Sequence, residues 1–262
     1  MNLRSAAGAV RRNLLLSMHR RTVAFGDHGP IVSFSFDDFP HSAWSSGGAI
    51  LEDLGVRGTY YAAPGLMHTP NDPAGPFSPD DLHAVAERGH ELACHTFSHV
   101  SSRSVASETF LADVEKARQA VEDVAGRSSL NFAYPFGAVT LRAKRTVGPG
   151  FASSRGIFPG LNGPEIDLNL LLANSLYGGI DQSGRVRSLI AENVKKKAWL
   201  IFYTHDVQAH PSPHGCTPAL FQAAVAAAVD SGSQVLTVQG ALEAIGVQSG
   251  DAVGHVRSRA MA

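Results

Sequence analysis

The 262-residue chain has only two cysteines, Cys94 and Cys216. They stand far apart, which excludes both the disulfide framework of a small secreted domain and a cysteine-built metal site, and leaves two buried free thiols as the expectation. Long apolar runs are also missing. The longest strictly apolar stretch is Ala223–Val229, far short of the roughly 20 residues that span a bilayer, so no membrane-crossing helix is expected. Excess charge of one sign is absent too: 22 basic against 23 acidic residues give a net charge of −1, and no overall field recruits nucleic acid. Acidic residues are wanting before Asp27, where Arg4, Arg11, Arg12, Arg20 and Arg21 meet no carboxylate. The apolar centre there, Leu14–Leu16, is too short for a secretory signal, and a cytoplasmic location is expected. On a helix, Leu3, Ala7, Val10, Leu14 and Met18 form one stripe beside Arg4, Arg11 and Arg12. That pattern suits an interfacial helix touching anionic membrane through residues 1–24, and it equally suits a helix packed on the domain.

What is present is a repeat of short apolar run, turn and helical stretch. Strand patterns occur at Ile31–Phe36, Thr59–Ala62, Glu91–Cys94, Asn131–Tyr134, Phe151–Ser153, Ala198–Thr204 and Gln234–Thr237. Helical patterns fall between them, at Ala43–Leu54, Pro79–Glu87, Ser107–Val124, Asp181–Lys197 and Pro218–Val229, several opened by capping residues. Seven such units predict an α/β fold, a single-domain distorted (β/α) barrel of about seven parallel strands with its site at the C-terminal face. No linker breaks the series. The expected organisation is a basic amphipathic segment over 1–28, a catalytic domain over 29–245 and a loosely held tail over 246–262. The stretch Gly156–Asn174 interrupts the repeat with two prolines and three glycines, and a long loop at such a point is more often functional than idle.

Four motifs follow four of the strands: "FDD" after the first, "CHTFSH" after the third, "YPFG" after the fourth and "YTHD" after the sixth. All four therefore emerge at one end of the sheet, where α/β proteins build their sites. His95 and His99 stand four apart, so that on a helical turn both imidazoles face one point and can grip a divalent ion. A carboxylate from Asp37 or Asp38 completes a three-ligand set with open positions, and the other acid is free to take a proton from water. Neighbouring residues leaving a strand point in different directions, so two adjacent acids can do different work.

These motifs resemble those of the polysaccharide deacetylases of carbohydrate esterase family 4, over about Ile31 to Ile245. The resemblance implies that Asp37 is the catalytic base and Asp38 a metal ligand, with His95 and His99 of "HTFSH" as the other two ligands. It implies one divalent ion, zinc above all, with cobalt or nickel as alternatives. "FAYPFG" is similar to the motif that walls the family's site, which gives Tyr134 and Pro135 to the substrate wall and the Phe136 amide to the oxyanion. The family's arginine in that motif is absent here, and Arg155 in "SSRG" is the expected substitute beside the base. "FYTHD" makes His205 the general acid, with Asp167 or Asp206 as candidates to orient it. Trp44 either stacks on a sugar ring or is a core residue, and His210 and His214 in "QAHPSPHGCTP" are expected to line the sugar site. The implied activity is removal of an N-acetyl group from an amino sugar of a bacterial glycan or of its lipid- or nucleotide-linked precursor, of the lipopolysaccharide O-antigen type, a phosphate of which would sit against Arg21 or the N-terminal helix. A metal-dependent amidase on a small non-sugar amide and a silent glycan-binding module are the alternatives.

Overall fold

The computed structural model of the chain describes residues 3–67, 76–126 and 128–247. Its first half runs α1 (Leu3–Ser17), β1 (Thr22–Ala24), β2 (Ile31–Asp38), α2 (Ala49–Asp53), β3 (Thr59–Ala62), α3 (Pro79–Glu87), β4 (Glu91–Cys94), α4 (Ser107–Ala125) and β5 (Asn131–Ala133). The second half runs α5 (Leu141–Val147), β6 (Ser153–Arg155), β7 (Glu165–Asp167), β8 (Asn174–Ser175), α6 (Ser183–Lys196), β9 (Trp199–Thr204), α7 (Pro218–Asp230), β10 (Gln234–Val235) and α8 (Val238–Ala244). Seven strands pair in the order β6-β5-β4-β3-β2-β9-β8, all parallel, and β10 pairs with the start of β2. The sheet curls into the half-barrel expected of a distorted (β/α) barrel.

Alternation in β2 shows how the sequence makes two layers. Successive side chains of a strand point to opposite faces, and Val32, Phe34 and Phe36 go outward under the helices, where Phe34 and Phe36 meet Phe221 of α7. Ser33, Ser35 and Asp37 take the inner face, where small polar groups fit the narrow interior. There the Trp199 indole donates to the Ser33 hydroxyl at 2.9 Å and Ser35 Oγ donates to the Phe202 carbonyl at 2.9 Å. At the N-terminal end the buried Glu91 carboxylate accepts from Thr59 Oγ1 (2.8 Å), Asn131 Nδ2 (2.6 Å) and the Gln239 backbone N–H at the start of α8 (2.9 Å). Buried polar groups are tolerated when each is paired, and this set seals the lower end of the barrel.

The open side between β6 and β9 is spanned by the last part of the long loop. Leu171 N–H donates to Ser154 O at 2.8 Å and Gly156 N–H to Leu171 O at 3.1 Å, and β8 then joins β9. The N-terminal region is packed as well. β1 pairs antiparallel with β7, Phe25 is buried, and Leu15 of α1 enters the core while its carbonyl accepts from the fully buried Lys144 at 2.7 Å.

Several elements differ from expectation. The helix expected over Ala43–Leu54 begins as a π-turned segment, Ala43–Gly48, before α2. The strand expected at Phe151–Ser153 pairs with β5 over Ser153–Arg155, because Phe151 and Ala152 are buried in the approach to the sheet rather than in the ladder. Helices α5 and α8 were not anticipated, being only seven residues each. Of the tail expected over 246–262, residues 248–262 lie outside the described residues, and Val247 is buried in the core.

Candidate active site

Strand register brings the four motifs to one level. Asp38 stands opposite Ala62, Ala62 opposite Cys94, Cys94 opposite Phe132, and Ala133 opposite Arg155. On the other side of β2, Phe36 pairs with Thr204, so His205 leaves β9 level with Asp37. The backbone turns sharply there. Among the described residues seven non-glycines have a positive φ, and five of them, Asp38 (66°), Phe39 (62°), Thr96 (60°), His99 (52°) and Phe136 (58°), belong to these motifs or directly follow one. Such conformations cost about 1–3 kcal/mol each and persist only where the surroundings impose them, which is common at functional sites.

The turns open a cleft of about 330 Å³ lined by Asp37, Asp38, His95, His99, Phe136, Gly137, Ile157, Tyr177, Tyr203, His205 and His214. Asp38 Oδ1 lies 3.3 Å from His95 Nε2 and 3.0 Å from His99 Nε2. Donors held about 2.0–2.2 Å from a shared tetrahedral ion stand roughly 3.3–3.6 Å apart, close to this spacing. Asp38 Oδ1 is also buried without a well-formed hydrogen bond, and the three donor atoms form a cluster of metal-binding type. Burial alone would raise the Asp38 carboxyl, yet the imidazoles of His95 and His99 hold it well below the ordinary carboxylate range. His95 Nδ1 donates to the Ala133 carbonyl at 2.8 Å, which orients the ring and leaves Nε2 as the nitrogen that faces Asp38 and would ligate an ion. The set of one carboxylate and two imidazoles therefore fits a divalent ion of the zinc type.

Beneath Asp38, the buried Arg155 guanidinium closes on Asp37 Oδ1. Arg155 lies between the rings of Tyr61 and Tyr203, 4.6 and 5.2 Å from their centroids, and its Nη1 donates to the Gly156 carbonyl at 3.1 Å. On the opposite wall His205 points Nε2 at Asp38 Oδ2, 3.6 Å away, while Nδ1 donates to the His214 carbonyl at 3.2 Å. Phe136, 65% exposed, leans over His99 with ring centroids 4.3 Å apart. Gly137 beside it has no room for a side chain, since a Cβ would overlap Ile157, and its φ is +57°.

Residues 26–148 match the profile of the polysaccharide deacetylase family. That match spans the "FDD", "CHTFSH" and "YPFG" motifs and makes this part of the chain similar to the polysaccharide deacetylases. Solved structures share its fold at low identity. The Xyl-CE4 domain of a multidomain xylanase from the hindgut metagenome of Trinervitermes trinervoides is 17% identical with a TM-score of 0.58, covering 87% of this chain and 95% of that one. A family 4 acetyl xylan esterase from Clostridium thermocellum, in complex with a cobalt ion, is 16% identical with a TM-score of 0.58, covering 84% and 93%. The family 4 carbohydrate esterase PdaA of Bacillus subtilis is 12% identical with a TM-score of 0.57, covering 88% of each. No curated protein matches the chain in sequence.

Within this polysaccharide deacetylase fold, the residues expected from the sequence divide into two groups. Asp37, Asp38, His95, His99, Phe136, His205 and His214 line the cleft, and Arg155 underlies it. The others lie elsewhere. Trp44 packs edge-on against Tyr60 and His90 behind β3, with Arg88 over its ring. His210 is exposed and is not among the cleft residues. Tyr134 points to the outer layer against Phe132, and Pro135 is buried in the turn that carries Phe136. Neither candidate acid orients His205. Asp206 accepts from Ser212 N–H (2.8 Å), Ser212 Oγ (2.5 Å) and Gln208 Nε2 (2.9 Å), closing its own loop, and Asp167 pairs with Lys144 at 2.6 Å. The acceptor at His205 is a main-chain carbonyl, which no residue-type pattern reveals. Tyr177 and Ile157 were missed because they come from the irregular stretch around the long loop. Tyr203 had a signal: it lies two residues before His205, on the inward parity of β9.

Proposed function

We propose that this cleft removes the N-acetyl group from an amino sugar of a bacterial glycan, or of its lipid- or nucleotide-linked precursor, by metal-dependent hydrolysis. The observation that carries the reading is the convergence in one cleft of a paired acid (Asp37 with Arg155), a three-donor set (Asp38, His95, His99) and a second proton-transfer group (His205). The match of residues 26–148 to the polysaccharide deacetylase family supports it.

Hydrolysis of an acetamide needs an activated water, a stabilised oxyanion and a proton for the departing amine. When bound, a divalent ion at Asp38, His95 and His99 supplies Lewis acidity to the water and to the developing oxyanion. Asp37 takes the proton of the attacking water. Arg155 pairs with its carboxylate and aims it, and Tyr61 and Tyr203 hold the guanidinium in place. The turn that exposes Phe136 offers its backbone amide to the oxyanion. His205, with Nδ1 donating to the His214 carbonyl, directs Nε2 into the cleft, and its imidazolium gives a proton to the leaving amine. Phe136, Tyr177 and Ile157 form an aromatic and apolar rim suited to the face of a pyranose ring.

Acetate release measured on N-acetylhexosamine oligomers, their diphosphate-linked forms and small N-acetyl amides tests the substrate class. Release from the amino-sugar substrates at least tenfold faster than from the small amides is expected. Preference for the small amides would replace this reading with that of a non-sugar amidase.

A further inference from the structure

Helix α1 is turned against the usual rule for a helix on a protein surface. Its inner side carries Leu15, which is buried, and Leu16, both packed on the domain. Yet Val10, Leu14 and Met18, spaced by four on the outer side, are 59, 43 and 40% exposed. A helix held only by its own domain keeps that side polar. The basic residues near the stripe divide into those with protein partners and those that face no protein anion. Arg20 pairs with Glu165 and Arg21 donates to the carbonyls of Phe151 and Ala152, which takes Arg21 out of the role of a phosphate site. Among the described residues, Arg11, Arg12 and Arg103 face no carboxylate, and Arg12 lies over the ring of Phe158. Arg11 and Arg103 flank a groove of about 300 Å³ walled by Leu14, Leu15, Val139 and Leu141. That groove begins two residues after Gly137 at the cleft, and two further exposed apolar side chains, Phe136 and Ile157, stand at the cleft rim.

We propose that α1 docks the protein onto an anionic lipid surface, with Val10, Leu14 and Met18 in the boundary between headgroups and acyl chains and with Arg11, Arg12 and Arg103 against lipid phosphates. The occupant follows from charge and shape together: an apolar stripe bordered by cations that lack protein anions matches a surface that is apolar inside and negatively charged outside. No described helix is long and apolar enough to cross a membrane, so α1 lies on the surface. Docking would set the mouth of the cleft at the lipid surface, within reach of a glycan carried there. The proposal does not depend on the reaction assigned to the cleft.

The test is co-sedimentation of the full chain with vesicles of phosphatidylcholine alone and of phosphatidylcholine mixed with phosphatidylglycerol, at low and high salt. Binding to the mixed vesicles alone, weakened by salt, is expected. The Arg11→Gln, Arg12→Gln double variant should lose about 25-fold in partitioning, since each basic residue near an anionic surface is worth roughly fivefold. A Val10→Ser, Leu14→Ser variant should lose at least tenfold. Circular dichroism melts and sedimentation velocity on the same samples show whether each variant is folded and monomeric. Equal binding to both vesicle types, binding unchanged in the folded variants, or a dimer that Val10→Ser, Leu14→Ser dissociates would overturn the proposal, the last by making a second copy of the chain the occupant.

Discussion

Replacing Arg155 by methionine keeps most of the side-chain bulk and removes the charge that closes on Asp37. Both members of the pair are buried, with side-chain exposures of 1% and 6%. Losing one partner strands the other in a medium that solvates it poorly, a penalty of about 3–5 kcal/mol. Against a total stability of roughly 5–15 kcal/mol for a domain, that is a fifth or more. Asp37→Asn should cost a similar amount by stranding the guanidinium, whose contacts with Tyr61 and Tyr203 do not replace a carboxylate. The double variant should then be more stable than the sum of the two losses allows, with a coupling of about 2–3 kcal/mol. Urea unfolding of all four proteins in the presence of a chelator measures this without any contribution from bound metal. If Arg155→Met stays within about 1 kcal/mol of the parent, or if the two losses simply add, Arg155 does not carry the Asp37 charge.

Three further outcomes follow from the same geometry. The His95→Ala, His99→Ala double variant should retain no stoichiometric zinc, measured by elemental analysis, because Asp38 alone leaves one protein donor; full metal content would remove these residues from the site. Asp37→Asn should keep its metal while turnover falls by about 10²–10⁴, the usual range for a general base; metal lost together with activity would exchange the roles of Asp37 and Asp38. Burial pushes the thiols of Cys94 and Cys216 up to about 12, so the native protein should resist a thiolate-directed reagent at pH 8 and react only on unfolding. Because the folded chain keeps those protons longer than the unfolded chain, the thiols favour folding below the ordinary thiol range of about 8.5 and lose that contribution as pH rises toward 12. Rapid labelling of the native protein would contradict their burial.

The barrel was legible because its strands are short apolar runs of fixed parity, and the motif residues were legible because each follows a strand directly. Arg155 was reachable by the same logic: the last residue of an inward-facing parity must meet whatever lies across the barrel, and Asp37 lies there. Proximity in sequence misled where parity or direction was not used. Trp44 follows the first motif by six residues, but the π-turned segment carries it to the outer side of β3. His210 shares a loop with His214, yet the loop tied by Asp206 brings only His214 back to the cleft. The acceptor that orients His205 is a carbonyl, and the closure of the barrel by residues 168–175 depends on long-range pairing with β6 and β9 that no local pattern encodes.

The proposed metal-dependent deacetylation rests on this one cleft. Its most direct test strips the protein with a chelator and follows acetate release from an N-acetylhexosamine oligomer as zinc is returned. No release is expected from the stripped protein, then a rise that levels off at one equivalent of zinc per chain, and no recovery in the His95→Ala, His99→Ala variant. Undiminished release after stripping, or recovery in that variant, would contradict it.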